Sequence, residues 1–546
     1  MAVALEETSP LQRESSDKLA LLATLGATSA LYFLAAGYLV SRSLDVMTAD
    51  AVSYLRIAEY YAQGRFDLAV NSCWGPLLSW LLVPAVLLKV DLPLAVRVVQ
   101  VLSGFGFAAS VALLTRRFTG GRGAALGFAA GALLALPMIP DSITPDLTLA
   151  FFIALYIALM APLVTGGSIA AALGAGVVAG LAFWTKHFAL PFVVAHLLLT
   201  LALRAYLARK RLLQGSAARP ILVVGSVFAA MALPWIAAMS IHDGKFTVSS
   251  AGPYARATTY AVLHHTKYSN HRLQEPREGR IVVSENRLEG KYPLPDFPKL
   301  ASLEGVKERL LHLNYYGPLA VRFTKSADLF GMLLCAALIA LLHASRPGTT
   351  FSDSRTVLGA WACASAGHYI AGYVATNVEE RLLWPSWGIL LALAVAVFVY
   401  PSRERDDAPP SGRFLGVAPW IWAAVLLVSV GYDAAESLRN VDERVARYTE
   451  VRKAAETLPL KGHFAVNGTK EKVFAAYAMA YWTHTPLLGS FDGATPEAIA
   501  QELQPFGEAQ ALIISDPDLE NRLSQNPQFE LLKSVDAYTL FAYHPK

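Results

Sequence analysis

Charge is what this chain of 546 residues has least of. Asp, Glu, Lys and Arg together make up 16% of it, where soluble domains carry about a quarter. That shortage excludes an ordinary soluble enzyme. The net charge of +4 is too small to indicate a nucleic-acid partner, and none is expected. Cysteine is scarce as well. Cys73, Cys335 and Cys363 lie far apart, which excludes a disulfide framework and a zinc-finger spacing. No internal repeat of the kind that marks many transporters is visible. The first apolar run lacks a small-residue cleavage site, so it reads as a retained span rather than a signal peptide.

What remains is apolar. Hydrophobic residues account for 54% and the mean hydropathy is +0.40. A bilayer crossing needs about 17–25 apolar residues. Such stretches run near 19–40, 92–114, 123–139, 145–163, 167–184, 188–204, 220–241, 328–343, 356–374, 384–400 and 415–433. A shorter one, 75–88, holds Pro76 and Pro84. Short loops rich in Lys and Arg stay in the cytoplasm. The loops 115–122, 204–219, 344–355 and 401–414 all carry arginines, and they share one side only if 75–88 does not cross. The expected fold is therefore a polytopic α-helical membrane protein with about eleven crossings and a juxtamembrane helix at 75–88. Residues 1–18 form a cytoplasmic tail and residues 19–433 the membrane domain. The outer face then holds the loops 41–74 and 242–327 and a small α/β domain over 434–546. In that domain Phe464–Val466, Ala511–Ile514 and Tyr538–Tyr543 read as strands, and 470–482 and 495–505 as helices.

The candidate chemistry gathers at that outer face. Asp50 precedes a predicted helix and serves either as its cap or as a functional carboxylate. In Asp141-Ser142-Ile143-Thr144-Pro145-Asp146, Thr144, Pro145 and Asp146 make a good helix start, and both acids remain candidates. Lys186, in Trp184-Thr185-Lys186-His187, either snorkels to headgroups or binds an anion. Asn377-Val378-Glu379-Glu380-Arg381-Leu382-Leu383-Trp384-Pro385 offers a local Glu–Arg pair with Trp384 at the interface, or a cationic site. Arg97 sits inside an apolar segment, a costly position that is a functional hint by default, although it can also snorkel. Two acidic and three cationic features at one face suit a carboxylate that activates a nucleophile beside cations that hold a phosphate. The histidines His242, His264, His265, His271 and His312 fit no metal spacing and read as solvated loop residues. The sequon Asn467-Gly468-Thr469 reads as chance.

In order and placement these residues resemble the GT-C membrane glycosyltransferases, in the branch of the dolichyl-phosphate-mannose protein mannosyltransferases and the bacterial lipid A aminoarabinose transferase. The resemblance spans about residues 19–400. It is carried by Asp50 with Tyr54, by Trp74-Gly75-Pro76-Leu77-Leu78, by Ala95-Val96-Arg97-Val98, by Arg116-Arg117-Phe118, by the Asp141/Asp146 loop, by Thr185-Lys186, and by Glu380-Arg381-Leu382-Leu383-Trp384-Pro385. The departures are the lone Asp50 where the family often has two adjacent acids, Arg381-Leu382 where it has Arg-Tyr, and His187 where Gly is common. The resemblance implies a sugar donor linked to polyprenyl phosphate and a lipid, glycan or protein acceptor. It also implies inverting transfer on the outer, periplasmic face of a bacterial inner membrane. Asp50 is then the general base, with Asp146 or Asp141 positioning the acceptor or a cation. Lys186 and Arg381 stabilise the phosphate, and Tyr54, Arg97, Glu380 and His187 line the substrate site. No cofactor is required, and a divalent cation is admitted. The rival readings are a transporter or flippase for a lipid-linked sugar, and a non-catalytic binding or assembly factor.

Overall fold

A computed structural model describes residues 10–119, 121–141, 143–213, 215–264, 273–282, 302–325, 354–399, 413–468 and 470–545. The expected span 328–343 lies outside them, as do His265, His271 and most of the loops 344–355 and 401–414. Among the described residues six helices are long and apolar enough to cross a membrane: Leu21–Ser43, Leu92–Thr119, Gly123–Asp141, Asp146–Thr165, Ala189–Arg209 and Arg219–Asp243. Ile169–Thr185 and Pro76–Leu87 are apolar but shorter. The twelve residues of Pro76–Leu87 span only about 18 Å at the helical rise, too little for a crossing. The expected spans 356–374, 384–400 and 415–433 fall in the helices Ser354–Val374, Glu380–Val399 and Arg413–Thr457.

The bundle is organised around the Asp146–Thr165 helix. It packs on Leu92–Thr119, on Ile169–Thr185 and on Glu380–Val399. With no hydrophobic drive between helices in lipid, close approach comes from small residues. Ile169–Thr185 reads IAAALGAGVVAGLAFWT, and a Cβ on its Gly176 would lie 2.6 Å from Val227 of the helix Arg219–Asp243. Two buried polar groups of the bundle are well paired, as hydrocarbon favours. Tyr156 and Ser365 hydrogen-bond the two ring nitrogens of His196 at 2.9 and 3.0 Å. Arg204, counted above as a loop charge, is in fact buried and caps a helix end. It donates to Leu163, and to Ala217 and Ser216 at 2.8 and 2.7 Å.

At one end of the bundle the segment after the first span folds back as Ala49–Ala62, followed by Phe66–Ala69 and Pro76–Leu87. Beyond the bundle, residues 464–543 build a five-stranded sheet in the order β2-β1-β3-β5-β4. The strands are β1 Phe464–Asn467, β2 Leu487–Phe491, β3 Ala509–Ile514, β4 Phe529–Val535 and β5 Tyr538–Tyr543. β1 pairs parallel with β2 and β3, and β5 pairs antiparallel with β3 and β4. β2 and β4 were not anticipated. The boundary expected at 433/434 falls inside a single helix of 45 residues, Arg413–Thr457, whose sequence turns from apolar to charged without a break. The sheet docks on the folded-back segment. Tyr54, Trp74 and Val96 share one buried cluster with Tyr448, Tyr481 and Leu512. The edge of β2 is closed by main-chain bonds between Gln274 and Leu488, 2.7 Å, and between Leu487 and Ile281, 2.8 Å.

Candidate active site

Asp50 does not cap its helix. The Ala49–Ala62 helix is capped by Thr48, whose hydroxyl accepts from the Ala51 N–H at 3.3 Å. Asp50 is left in the first turn with its carboxylate turned elsewhere. Asp146 is the first residue of its own helix. Pro145 occupies the cap position there, and no side chain makes a capping bond, in contrast to the Thr144 cap expected. Lys186 ends the Ile169–Thr185 helix in an extended conformation that sends its side chain off the helix axis. That position is fixed by Gly75. A Cβ there would lie 2.2 Å from the Thr185 carbonyl oxygen, so only glycine lets the Trp74-Gly75-Pro76 turn seat against the residue before Lys186.

These residues, distant in sequence, meet in one chain of charges. Lys186 Nζ lies 2.6 Å from Asp146 Oδ1. Arg381 Nη1 lies 3.6 Å from Asp146 Oδ2, and Nη2 lies 2.9 Å from Asp50 Oδ2. Arg381 Nε donates to Glu379 Oε2 at 2.9 Å, and Glu379 Oε1 accepts from Asn377 at 3.1 Å. Asp146 is 1% exposed, Asp50 17%, Arg381 24% and Lys186 28%. The carboxylates thus lie deeper on average than the cations. The 3.6 Å contact is an ion pair and not a hydrogen bond, so Oδ2 of the buried Asp146 has no hydrogen-bond donor. Tyr54 is buried beside the cluster, its ring edge-on to Trp74 with centroids 5.2 Å apart. Burial pushes its phenol pKa well up and the charges of Asp50 and Asp146 add to this, so Tyr54 stays a hydrogen-bond donor. His187 is buried next to Lys186, and its Nε2 accepts from Trp235 Nε1 at 3.3 Å. Burial pushes its pKa down from 6.5 to about 4, leaving a neutral ring.

Three expected site residues lie elsewhere. Arg97 is fully buried, and its two terminal nitrogens are taken up by Gln100 Oε1 at 2.9 Å and by the main-chain oxygens of Ile139, Ser43 and Val46. It neither snorkels nor reaches the cluster. Asp141 pairs with Arg444 at 2.7 Å on the long helix. Glu380 is exposed in the first turn of its helix, where a negative charge suits the dipole. Its neighbour Glu379 makes the contact with Arg381. The position of Glu379, two residues ahead of Arg381 just before the helix begins, was the signal available for it. Of the loop histidines described, His242 pairs with Asp243 and His264 with Glu308.

A divalent cation does not fit this donor set. Asp50 and Asp146 already face a guanidinium and an ammonium, whereas a hard cation needs several anionic or carbonyl oxygens. Among the described residues no three His, Cys, Asp or Glu side chains converge.

Fold and charge cluster together describe a helical bundle with helices long and apolar enough to cross a membrane, and with a chain of ionisable residues where the folded-back segment meets the bundle. No protein-family model and no curated protein matches the sequence. Solved structures do match. ArnT from Cupriavidus metallidurans in the apo state aligns over 94% of this chain and 97% of its own, with a TM-score of 0.54 and 15% identity. ArnT bound to undecaprenyl phosphate aligns over the same shares at a TM-score of 0.52 and 16% identity. The Archaeoglobus fulgidus oligosaccharyltransferase in complex with Zn and sulfate aligns over 94% of this chain and 73% of its own, at a TM-score of 0.52 and 10% identity. The likeness is one of fold, and it meets the resemblance read from the sequence.

Proposed function

We propose that this chain transfers a sugar from a polyprenyl-phosphate donor to an acceptor hydroxyl on the outer face of a bacterial inner membrane. The observation that carries the reading is the chain Asp50–Arg381–Asp146–Lys186. Two cations on one patch can grip a phosphate, and the carboxylates beside them can take a proton. The likeness to a protein crystallised with undecaprenyl phosphate supports a lipid-linked donor.

The chemistry follows from which charges are exposed. The donor phosphate reaches Arg381 and Lys186 before it reaches the buried Asp146. By engaging Arg381 it loosens the pair with Asp50, whose carboxylate then accepts the proton of the acceptor hydroxyl. The hydroxyl oxygen attacks the anomeric carbon from the side opposite the phosphate and the configuration inverts. The C–O bond to the phosphate breaks and its electrons stay on the lipid phosphate. Arg381 and Lys186 stabilise that charge as it develops. A phosphate leaves as an anion without a general acid, so one base suffices, unlike the paired acids of glycoside hydrolases. Asp146 holds Lys186 and Arg381 in place, and Glu379 fixes the guanidinium plane through Nε. The orientation that goes with this reading has eleven crossings, a cytoplasmic amino terminus and the sheet domain outside.

The test supplies the purified protein in liposomes with polyprenyl phosphate carrying a labelled sugar, and with lipid, glycan and protein fractions as acceptors. The reading expects the label to move covalently onto one fraction. Label that stays on the polyprenyl phosphate overturns it, and label that crosses into sealed vesicles still attached to its lipid marks a flippase.

A further inference from the structure

The two carboxylates each stand in the first turn of a helix, and the segments leading into both helices are gripped twice. The first grip is Arg97, with no exposed surface. Its Nη1 donates to the Ile139 carbonyl at 2.5 Å, just ahead of the Asp146 helix. Its Nη2 donates to the Ser43 and Val46 carbonyls at 3.1 and 3.4 Å, just ahead of the Asp50 helix. One rigid planar fork therefore ties together two pieces of main chain with no sequence relation to each other. An ammonium has no such fork.

The second grip is the helix Arg413–Thr457. Its Arg444 holds Asp141 through the side chain at 2.7 Å and through the carbonyl at 2.9 Å. About two turns along the same helix, Arg452 Nη1 lies 2.6 Å from Asp45 Oδ1, and the Thr449 hydroxyl donates to Asp45 Oδ2 at 3.2 Å. The Arg452 guanidinium is itself stacked 4.6 Å from the Trp482 ring, inside the sheet domain. The long helix thus holds the same two segments that Arg97 holds, 43–46 and 139–141.

We infer that Arg97 and the Arg444–Arg452 stretch of the long helix form a double clamp that sets the separation of Asp50 and Asp146. The sheet domain then acts in transfer as a positioning element, through a helix rooted in it. The inference rests on the reading that Asp50 and Asp146 serve the reaction. Arg97 is a positioning residue here and does not touch substrate.

The test compares the wild type with Arg97→Lys and with the double variant Arg444→Ala/Arg452→Ala in the full chain. The clamp predicts a fall in kcat of about 100-fold for Arg97→Lys, since a misplacement near 1 Å costs that much. The apparent KM for the polyprenyl-phosphate sugar stays within about threefold, because no donor contact is lost. The double variant shifts the same way by a smaller factor. Spin labels at Gln63→Cys and Thr165→Cys, in a chain with its three native cysteines changed to serine, report the two helices directly. Their distance distribution broadens or shifts in both clamp variants. A KM that rises while kcat holds means that Arg97 contacts the donor, and overturns the inference. So do unchanged distances with unchanged kcat. If Arg97→Lys fails to fold, the part-exposed pair Arg444/Arg452 carries the test alone. If the wild type transfers no sugar, the proposed function fails, while the label distances still decide the clamp.

Discussion

Replacing Lys186 by methionine separates the two duties assigned to it. Its ammonium sits 2.6 Å from Asp146, which is 1% exposed. Arg381, the other cation near Asp146, is 3.6 Å away. Removing one partner of a buried pair costs about 3–5 kcal/mol because a charge is left without compensation. Lys186 itself is 28% exposed and Arg381 takes up part of the field, which places this substitution near the lower end, about 3 kcal/mol. Loss of a cation from a developing phosphate charge lowers kcat by about 100- to 1000-fold. The two effects part in the double variant Lys186→Met/Asp146→Asn. Without the stranded carboxylate, its stability returns to within about 1 kcal/mol of wild type. Transfer stays low, since the phosphate still lacks its ammonium. The assays are thermal unfolding in detergent and initial rates of label transfer. If the double variant regains both stability and transfer, Lys186 serves only Asp146 and the phosphate role is wrong.

Four further outcomes follow from the same geometry. His187 is held neutral in the fold with a pKa near 4 against an ordinary 6.5. Its contribution to stability is therefore complete above pH 6.5 and is lost as pH falls toward 4, where the unfolded chain binds a proton that the folded one refuses. The loss is about 3 kcal/mol, and His187→Gln should flatten the melting temperature across that window. Gly75→Ala drives a methyl to within 2.2 Å of the Thr185 carbonyl. Such overpacking costs about 1–3 kcal/mol, and transfer should fall further than stability because Lys186 is displaced. Glu379→Gln frees Arg381 Nε from its carboxylate and should lower kcat/KM about tenfold, equivalent to about 1.4 kcal/mol. Glu380→Gln should leave transfer within about twofold.

Much of the cluster was legible because charge is so rare here. In a chain with 16% charged residues, an ionisable group near the end of an apolar run is conspicuous, and Asp146, Lys186 and Arg381 stand near such ends, while Asp50 stands out as an acid ahead of a helix in the first outer loop. Their pairing was not legible. It depends on the Asp146–Thr165 helix packing against both Ile169–Thr185 and Glu380–Val399, a contact no local pattern encodes. Arg97 was misread for a related reason. Sequence shows that a buried arginine is costly, but not that main-chain carbonyls of Ser43, Val46 and Ile139 take up its terminal nitrogens. Asp141 and Asp146 looked alike in one short loop, and only the arrival of Arg444 from the long helix separates them. That helix was itself hidden, because its apolar and charged halves read as two regions. The strands β2 and β4 were missed because β2 is short and buried throughout while β4 is exposed along most of its length, so neither alternates.

The central claim is that Asp50 is the base for sugar transfer from a polyprenyl-phosphate donor, and single-turnover transfer by Asp50→Asn tests it most directly. The amide keeps the shape of the side chain and its reach to Arg381 but cannot accept the proton. The account predicts that labelled donor still binds and that the transfer rate falls by about 100- to 10,000-fold, the usual worth of a general base. Transfer by Asp50→Asn at the wild-type rate would contradict it.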